Sequence, residues 1–438
     1  MAMQPTLKAK RARPWAPRQE IAPVTRKGPH GELVAASNGS AGCYGGWDVV
    51  YPVPPSEYIK VRIKARWDRL ERSFDSVQIG ALWEGDKTFY VNWEPLLPTA
   101  VRKDHVVYEA LVQVSHTAKE LVVRSCLAWS ATGEIRFFDA EVRPCAKPRP
   151  RRWRLGAAGT PHPIGTPSVE SNTRLYLDLG TQAAAAGVDL LCLPEVMLQW
   201  GLPCDETTMA PMAIGVPGKE IEPFQKLAQK EKMALCFSVF ERDKELVHNT
   251  ALLIDKGGNL VGKYRKVHLA PPLEIWWGVT PGHDFPVFDL HGAKVCMNIC
   301  MDSSALESAR VPARRGAEIL LMPIMGDHRA VSEWRWGYSD FDVKRWCEIQ
   351  SVRAMDNQIH MVISRNSGYG SGVFSPTGEV LALSGGKTVV WADVDLNDPP
   401  RTTTGATFRG VCWFERREPT YGPMLGKDMR DPFENVES

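Results

Sequence analysis

The stretch that decides the fold of this chain is Val-Cys-Met-Asn-Ile-Cys-Met-Asp, residues 295–302. Its apolar first half predicts a buried strand, and its end places a single thiol, Cys300, in a turn before a predicted helix. A cysteine that a strand delivers to a turn is a candidate nucleophile. On its own the pattern is weak evidence, because a cysteine after an apolar strand usually belongs to the core.

Two segments upstream have the same arrangement. Asp-Leu-Leu-Cys-Leu-Pro-Glu ends at Glu195, and Gly-Lys-Tyr-Arg-Lys-Val-His-Leu is centred on Lys266. Each segment puts one charged residue at or just past the end of an apolar run. A carboxylate can take the proton of a thiol, and an ammonium favours the thiolate and then the oxyanion formed at a substrate carbonyl. Together with Cys300, these residues are the ingredients of a covalent acyl-transfer site.

Predicted strands and helices alternate from residue 153 onward. The predicted helices are 168–186, 221–232 and 303–315, and the predicted strands are 153–158, the run that ends at Glu195, 233–240, 248–255, 259–266, 293–299 and 317–322. Alternation of this kind indicates an α/β layered fold.

The preceding part of the chain, residues 29–146, has a different texture. Residues 58–67 alternate strictly between apolar and basic side chains, which predicts a half-buried antiparallel strand. Similar short runs follow at 77–83, 89–93, 105–114, 121–129 and 135–142. Short strands without a helix predict an all-β sandwich domain. On either side, residues 1–28 are predicted to be a mobile tail and residues 147–152 a Pro/Arg linker, and residues 426–438 are predicted to be a C-terminal tail.

Composition excludes several classes of protein. The chain has 438 residues, a net charge of +2, 44% apolar and 24% charged residues, which is typical of a protein with two or three globular domains. Two Pro-interleaved basic runs, at 8–13 and 147–152, are better explained as solvated tail and linker than as a nucleic-acid surface. No stretch has the roughly 18 apolar residues of a membrane helix, and the N-terminus lacks the apolar core of a secretory signal, so a cytoplasmic location is expected. The ten cysteines have no paired metal-ligand spacing, and we predict no metal and no cofactor.

From about Arg152 to about Leu425 the chain resembles the carbon–nitrogen hydrolase (nitrilase) superfamily. The resemblance rests on an ordered series of short segments: 193–195, 248–255, 262–269, 280–282, 299–302, 314–323, 353–357 and 375–380. It implies a four-layer α-β-β-α sandwich over residues 153–425. It also implies that Glu195 is the general base, that Lys266 stabilises the tetrahedral intermediate and that Cys300 is the nucleophile.

The resemblance implies a second carboxylate between the lysine and the cysteine, and Glu274 is the matching candidate. It would hold the lysine and orient the substrate or the attacking water. Trp276 and Trp277 follow it and would form an apolar wall that positions the substrate; the alternative is that they pack at a subunit contact. Asp302 is expected to cap the helix that follows it. Three asparagines are expected to support the site or its turns: Asn249, Asn298 and Asn366.

The N-terminal part also resembles, more loosely, jelly-roll domains of the carbohydrate-binding type, through residues 45–48, 52–55 and 133–142. Its tryptophans at 47, 67, 83, 93 and 129 could stack on sugar rings, although several lie on the apolar face of a predicted strand and are better explained as core. A carbohydrate partner is therefore one alternative for this domain, beside a role in packing or oligomerisation.

Three functions remain open at this point. The leading hypothesis is an amidase-type hydrolase that cleaves an amide or an N-carbamoyl compound through a thioester and needs no cofactor. A nitrilase that acts on a nitrile is the second, because the Cys-Met-Asp context lacks the Cys-Trp-Glu set typical of nitrilases. The third is a catalytically silent carbohydrate-binding or scaffold protein, against which the intact Glu195, Lys266 and Cys300 count. A homo-oligomer is expected that buries a C-terminal extension, residues 414–425.

Overall fold

The structure is a computed structural model that describes residues 5–71, 75–85, 93–159, 165–337, 340–366, 368–386, 388–402, 405–414, 416 and 421. The described residues divide into two compact units. One contains the residues up to Arg149 together with those from Pro399 onward, and the other is Pro150–Asp398. Within the described residues, no helix combines the length and the apolar composition that crossing a bilayer requires.

The first unit is built from antiparallel strands. They are β1 (Arg11–Trp15), β2 (Val24–Lys27), β3 (Leu33–Ala36), β4 (Tyr44–Pro52), β5 (Tyr58–Asp68), β6 (Val77–Glu84), β7 (Trp93–Pro95), β8 (Leu97–Val101), β9 (Val106–Gln113), β10 (Glu120–Ala128) and β11 (Glu134–Cys145). In the described part of the unit they form two sheets, with the orders β1-β4-β10-β6-β7 and β2-β3-β11-β5-β9-β8. The predicted run 89–93 lies outside the described residues except for Trp93.

The two sheets pack face to face over one apolar core. Val49, Val123 and Ile79 enter it from the first sheet, and Ile63 and Phe137 enter it from the second. The alternation predicted for the β5 segment is present, because Ile59, Val61, Ile63 and Ala65 are buried while the basic residues between them are not. The predicted all-β sandwich is therefore confirmed.

The predicted mobile tail is wrong for two segments, which form the edge strands β1 and β2. Strand β1 pairs with β4, and β2 pairs with β3. Both strands are largely exposed on both faces, so they are held by backbone hydrogen bonds and by ion pairs such as Arg11 with Glu120 at 2.6 Å. An edge strand that buries no side-chain face leaves no hydrophobic pattern in the sequence, and this explains the error.

The tryptophans of this unit serve mainly its core. Trp47 and Trp83 are 5% and 4% exposed, and Trp47 Nε1 donates to the carbonyl of Val34 at 3.0 Å, so neither ring presents a face to a ligand. Trp129 is 38% exposed but stacks on Tyr44 with ring centres 5.9 Å apart. A carbohydrate partner for this unit stays a prediction.

The described residues from Pro399 onward belong to the sandwich rather than to the hydrolase domain, which corrects the predicted boundary at 425. The buried carboxylate of Glu94 accepts hydrogen bonds from Thr407 N at 2.8 Å and Arg401 Nη1 at 3.3 Å. The helix Phe408–Phe414 packs against β7, with the rings of Phe414 and Trp93 5.3 Å apart. Most of the predicted oligomerisation segment, residues 414–425, lies outside the described residues.

The second unit contains the remaining elements. Its strands are β12 (Arg152–Gly159), β13 (Leu190–Cys192), β14 (Ile214–Gly215), β15 (Ala234–Asp243), β16 (Leu246–Ile254), β17 (Leu260–Arg265), β18 (Val287–Leu290), β19 (Ala293–Met297), β20 (Ile319–Ile324), β21 (His360–Arg365), β22 (Gly372–Phe374), β23 (Val380–Leu383) and β24 (Thr388–Asp395). Its helices are α1 (Val169–Ala185), α2 (Met209–Met212), α3 (Glu222–Glu231), α4 (Leu273–Trp276), α5 (Leu306–Arg314) and α6 (Val343–Asn357). Because Arg151 hydrogen-bonds to Asn397 and to the carbonyl of Gly292, it belongs to this unit rather than to a linker.

The strands form two sheets that pack on each other, with a pair of helices outside each one. In the described residues the sheet orders are β17-β16-β15-β13-β12-β24, with β14 beside β15, and β18-β19-β20-β21-β22-β23. Leu190 and Ala251 of the first sheet meet Val295 and Leu321 of the second in a common core. Helices α1 and α3 cover the first sheet through residues such as Tyr176 and Phe224, and α6 covers the second. The predicted four-layer α-β-β-α sandwich is therefore confirmed.

Candidate active site

Glu195 lies just past the end of the buried central strand β13, where the side chain is 2% exposed. The next residue, Val196, has a φ of +40°, a left-handed conformation that costs a β-branched residue free energy. Its N–H donates to Ser238 Oγ at 2.8 Å. The turn is therefore strained and held from the neighbouring strand, which fixes the direction of the carboxylate.

Lys266 follows β17 directly and is 1% exposed. Its backbone N–H donates to the carbonyl of Asn249 at 2.8 Å. Its ammonium lies between two carboxylates, with Nζ 3.0 Å from Glu195 Oε1 and 2.8 Å from Glu274 Oε2. Two carboxylates on one buried cation give good charge compensation, and the ammonium is held in a fixed position.

Asn249 links the two carboxylates from the other side. Its Nδ2 donates to Glu195 Oε1 and to Glu274 Oε1, both at 2.8 Å. Its own oxygen accepts from Ser238 Oγ at 3.1 Å. Glu274 also accepts from the backbone N–H of Ala270 at 2.6 Å. Sequence reasoning predicted a supporting role for this asparagine but not that it bridges the carboxylates.

Cys300 is the first residue of a 3₁₀ turn, Cys300–Ser304, after β19. Its φ is +43°, an uncommon conformation for a residue other than glycine. The thiol lies 3.6 Å from the carbonyl oxygen of Gly326 and within hydrogen-bonding reach of the Glu195 carboxylate. The structure thus brings together Glu195, Lys266, Glu274 and Cys300, which the sequence places on separate segments.

One backbone segment contacts both the carboxylate and the thiol. The N–H of Met325 donates to Glu195 Oε2 at 2.9 Å, and the next carbonyl, that of Gly326, faces Cys300 Sγ. This segment follows strand β20 directly. The sequence analysis did not identify it, because backbone contacts leave no residue-type signal.

The electrostatics of the cluster leave the thiol protonated at rest. Burial, together with the charge of Glu195, raises the pKa of Cys300 to about 12, against the influence of Lys266. Burial also raises the pKa of Glu195 above its usual range. Burial alone would lower the pKa of Lys266, but the charges of Glu195, Cys300 and Glu274 raise it overall, so the ammonium remains charged. Attack by the sulfur therefore needs a base that accepts the proton during the reaction.

Asp302 does not cap the following helix, so that expectation is wrong. The carboxylate is fully buried, and its Oδ2 accepts from Ile299 N at 2.9 Å and from Tyr264 Oη at 2.6 Å. Its Oδ1 accepts from the backbone and the ring of His268. Helix α5 begins after Ala305, without a side-chain cap. Asp302 instead joins the turn of Cys300 to the segment after Lys266.

The two tryptophans after Glu274 take different positions. Trp276 is 72% exposed and stands two residues along helix α4 from Glu274, and residues at this spacing face opposite sides of a helix. Trp277 is half-buried and packs against the apolar cluster that contains Val196 and Val279. The structure thus brings Trp277 near the Glu195 turn but does not bring Trp276 to the cluster.

Two residues at the end of β21 support the cluster. Asn366 Nδ2 donates to the carbonyl of Glu195 at 3.0 Å, in line with its predicted supporting role. Arg365 Nε donates to the carbonyl of Met325 at 3.0 Å and was missed. The sequence signal was present, since Arg365 comes soon after the apolar run Met361–Ile363, much as Glu195 follows its own run. Asn298 supports the turn of Cys300 through a 3.1 Å bond to the carbonyl of Ser308.

Over the described ranges, no three His, Cys, Asp or Glu side chains form a set that could hold a metal ion.

Comparison with known proteins shows the family of the chain. The model of the carbon–nitrogen hydrolase family matches residues 154–400, more than half of the chain. A probable nitrilase of Schizosaccharomyces pombe is 29% identical over 223 residues, covering 48% of this chain and 76% of the relative. The mouse (Mus musculus) omega-amidase NIT2 is 28% identical over 248 residues, covering 52% of this chain and 85% of the relative.

The solved structures show the same fold. A carbon–nitrogen hydrolase from Helicobacter pylori G27 superposes with a TM-score of 0.53 at 23% identity, covering 63% of this chain and 99% of the other. Its fold matches the four-layer unit, and the family model spans the segments that carry Glu195, Lys266 and Cys300. The chain therefore belongs to the carbon–nitrogen hydrolase family of enzymes.

Proposed function

We propose that this enzyme is an amidase that cleaves the carbon–nitrogen bond of a small amide or N-carbamoyl compound through a thioester on Cys300. The observation that carries the proposal is the position of Lys266 Nζ, 3.0 Å and 2.8 Å from the carboxylates of Glu195 and Glu274. This arrangement of buried side chains supplies a base, Glu195, and a fixed cation, Lys266, beside the thiol of Cys300.

The proposed first step is attack of Cys300 Sγ on the amide carbon. Because the thiol is protonated at rest, Glu195 takes its proton as the carbon–sulfur bond forms. The oxygen of the amide becomes an oxyanion, which the ammonium of Lys266 stabilises. Glu195 then gives the proton to the nitrogen, which leaves as ammonia or an amine.

The second step regenerates the enzyme. Glu195 takes a proton from a water molecule, the resulting hydroxide adds to the thioester carbon, and the carbon–sulfur bond breaks. The thiolate of Cys300 receives the proton back, and a carboxylic acid leaves. In both steps Glu274 and Asn249 hold Lys266 and Glu195 in place through the contacts described above.

A nitrilase is the second candidate, since one of the relatives carries that name. The same thiol would add to the carbon of a nitrile to give a thioimidate, and two water molecules would be consumed before the acid is released. The two functions are distinguished by whether an amide or a nitrile acylates Cys300. They are also distinguished by which of the two substrates releases ammonia faster.

Intact-protein mass spectrometry during turnover tests the proposal. The wild-type protein is mixed with butyramide, with an N-carbamoyl amino acid or with butyronitrile, and ammonia release is followed in parallel. We expect an adduct of the acyl group's mass with an amide or carbamoyl compound. Cys300→Ala should lose the adduct and about a thousandfold or more of the activity.

Cys296→Ala is the matched control, because Cys296 is a fully buried cysteine in strand β19, four residues away. It should keep both the adduct and the turnover. Adduct formation only with the nitrile would favour the nitrilase. Turnover by Cys300→Ala at a tenth of the wild-type rate or more would remove Cys300 as nucleophile.

A further inference from the structure

The backbone segment that contacts both Glu195 and Cys300 continues into Asp327, whose side chain is fully buried. Asp327 Oδ2 accepts a hydrogen bond from Ser303 Oγ at 2.6 Å. Ser303 belongs to the 3₁₀ turn that begins at Cys300, and it is 5% exposed. The segment therefore holds this turn by a short bond to a carboxylate, in addition to the 3.6 Å contact between the Gly326 carbonyl and Cys300 Sγ.

Asp327 is itself held by Arg329. The Nε and the backbone N–H of Arg329 donate to Asp327 Oδ1 at 2.8 Å and 2.9 Å. Burial alone would raise the pKa of Asp327, but the hydrogen bonds from Arg329 and Ser303 lower it overall, so the carboxylate stays ionised at neutral pH. An ionised acceptor makes a stronger hydrogen bond than a neutral one, so the bond from Ser303 is a firm contact of the turn.

Two guanidinium groups hold the backbone carbonyl of Ser303. Arg329 Nη2 and Arg353 Nη2 each donate to it at 2.8 Å, and Arg353 Nη1 donates to the carbonyl of Ala305 at 3.3 Å. Arg353 belongs to helix α6 and is 7% exposed. Carbonyls at the end of a helical turn lack partners within the turn, and here the two arginines supply them. Ser303 is thus fixed through both its side chain and its backbone.

The distance from Cys300 to Glu195 depends on this arrangement. The two residues come from different sheets, Glu195 after β13 and Cys300 after β19. The segment after β20 contacts both sides, because Met325 N donates to Glu195 Oε2 at 2.9 Å and Asp327, two residues later, bonds to the turn of Cys300. Transfer of the thiol proton requires hydrogen-bond contact with the base, and a displacement of about 1 Å can cost about 100-fold in rate.

We propose that Asp327 is a positioning residue of this enzyme: through its bond to Ser303 it sets the distance between the Cys300 thiol and the Glu195 carboxylate. Asp327 acts through the turn and not on the reacting atoms. Without the bond, the thiol stays in the protein but loses part of the assistance that the base gives it. The inference rests on the roles proposed above for Cys300 and Glu195 and adds a residue to their site.

Ser303→Ala is the mildest test, because it removes the hydroxyl and leaves Asp327 paired with Arg329. The first readout is the rate at which iodoacetamide alkylates Cys300, followed by intact-protein mass spectrometry from pH 6 to pH 10. Alkylation needs no substrate, and the Cys300→Ala protein gives the background from the other cysteines.

The pH profile separates positioning from a merely structural role. We expect Ser303→Ala to react at least about tenfold more slowly than wild type at neutral pH, because the base no longer reaches the thiol well. The difference should decrease as the pH rises, since the thiol then loses its proton to solvent hydroxide and needs the base less. A role in stability alone would leave the rate of the folded protein unchanged at every pH.

Turnover of the best amide of the panel above gives a second readout. In Ser303→Ala, kcat should fall at least about tenfold with little change in KM, because the lost contact matters for the reaction and not for binding. Asp327→Asn should lose at least as much. The double variant should lose about as much as Asp327→Asn alone, since both substitutions act on one bond. Ser332→Ala is the control: Ser332 Oγ donates to Asp340 Oδ2 at the same distance, 2.6 Å, in an exposed part of the same unit, and this variant should keep both readouts.

Wild-type alkylation and turnover in Ser303→Ala, or an alkylation rate lowered by the same factor at every pH, would overturn the inference. Losses that multiply fully in the double variant would overturn it as well. These results leave the proposed function standing as long as Cys300 forms an acyl adduct. Absence of an adduct with every amide would instead overturn the proposed function itself.

Discussion

Asp302 accepts hydrogen bonds from both the backbone N–H and the imidazole Nδ1 of His268, at 3.0 Å and 2.8 Å. Asp302 lies two residues after Cys300, and His268 lies two residues after Lys266. This pair of bonds therefore ties the turn of Cys300 to the segment that carries Lys266. The relative position of the two segments thus depends on a carboxylate that bonds to Tyr264, His268 and Ile299.

Replacing this carboxylate should cost both stability and activity. In Asp302→Asn the side chain keeps its volume but loses the charge that accepts four hydrogen bonds, among them one from Tyr264 Oη at 2.6 Å. We expect the free energy of unfolding to fall by about 3 kcal/mol. We expect kcat/KM to fall at least about tenfold, because small displacements of reacting groups are expensive.

Urea unfolding and steady-state kinetics on one protein preparation measure both effects. Asp289→Asn is the control, since Asp289 is exposed and pairs with Lys294 at 2.8 Å; its unfolding free energy should change by less than about 0.5 kcal/mol. Wild-type activity in Asp302→Asn would mean that the position of Cys300 does not depend on this link.

The same pair predicts a pH dependence of stability. The hydrogen bond to Asp302 raises the pKa of His268 above its usual value, so the protonated imidazole is favoured in the folded state. Its stabilisation is complete below the ordinary histidine pKa of about 6.5 and is lost as the pH rises through the raised value. Because the side chain is 36% exposed, solvent screens the interaction and the effect should stay below about 1 kcal/mol.

The measurement is the free energy of unfolding of wild type minus that of His268→Gln, taken from pH 5.5 to pH 9. This difference should be largest at the acid end and should decrease toward the alkaline end. A difference that stays constant or increases with pH would show that His268 does not gain a proton on folding.

Local pattern explains which parts of the site could be predicted from the sequence. Glu195, Lys266 and Cys300 each end an apolar run. Such a run forms a buried strand, and the strand fixes the position of the residue at its end. The role of Asp302 could not be predicted, because it depends on His268, 34 residues earlier in the chain. The edge strand β1 was missed for a related reason: it buries no face, so only its partner β4 reveals it.

The two carboxylates should differ when each is changed to its amide. Glu195→Gln removes the base, so Cys300 should not be acylated and the rate should fall by about a thousandfold or more. Glu274→Gln leaves the base in place and removes one of the two charges that hold Lys266. We therefore expect slower turnover but detectable acylation.

Rapid mixing followed by mass spectrometry separates acylation from later steps. Glu222→Gln, on the exposed side of helix α3 with 58% of its side chain exposed, is the control and should behave as wild type. Acylation of the Glu195→Gln protein at the wild-type rate would assign the base to another residue. Unchanged kinetics in Glu274→Gln would remove that residue from the site.

The backbone conformation of Cys300 predicts an inverted order of stability between two inactive variants. Glycine is ordinarily about 0.5–1 kcal/mol less favourable than alanine within regular structure, because it loses more conformational freedom on folding. At a φ of +43° an L-residue pays about 1–2 kcal/mol that glycine does not. Cys300→Gly should therefore be at least as stable as Cys300→Ala, although both lack the sulfur and neither should form an adduct.

The same two substitutions at Cys296, inside the extended strand β19, should give the ordinary order, with alanine the more stable. The urea midpoints of the four proteins measure both differences between glycine and alanine. If glycine is as unfavourable relative to alanine at position 300 as at position 296, the turn of Cys300 stores no backbone strain.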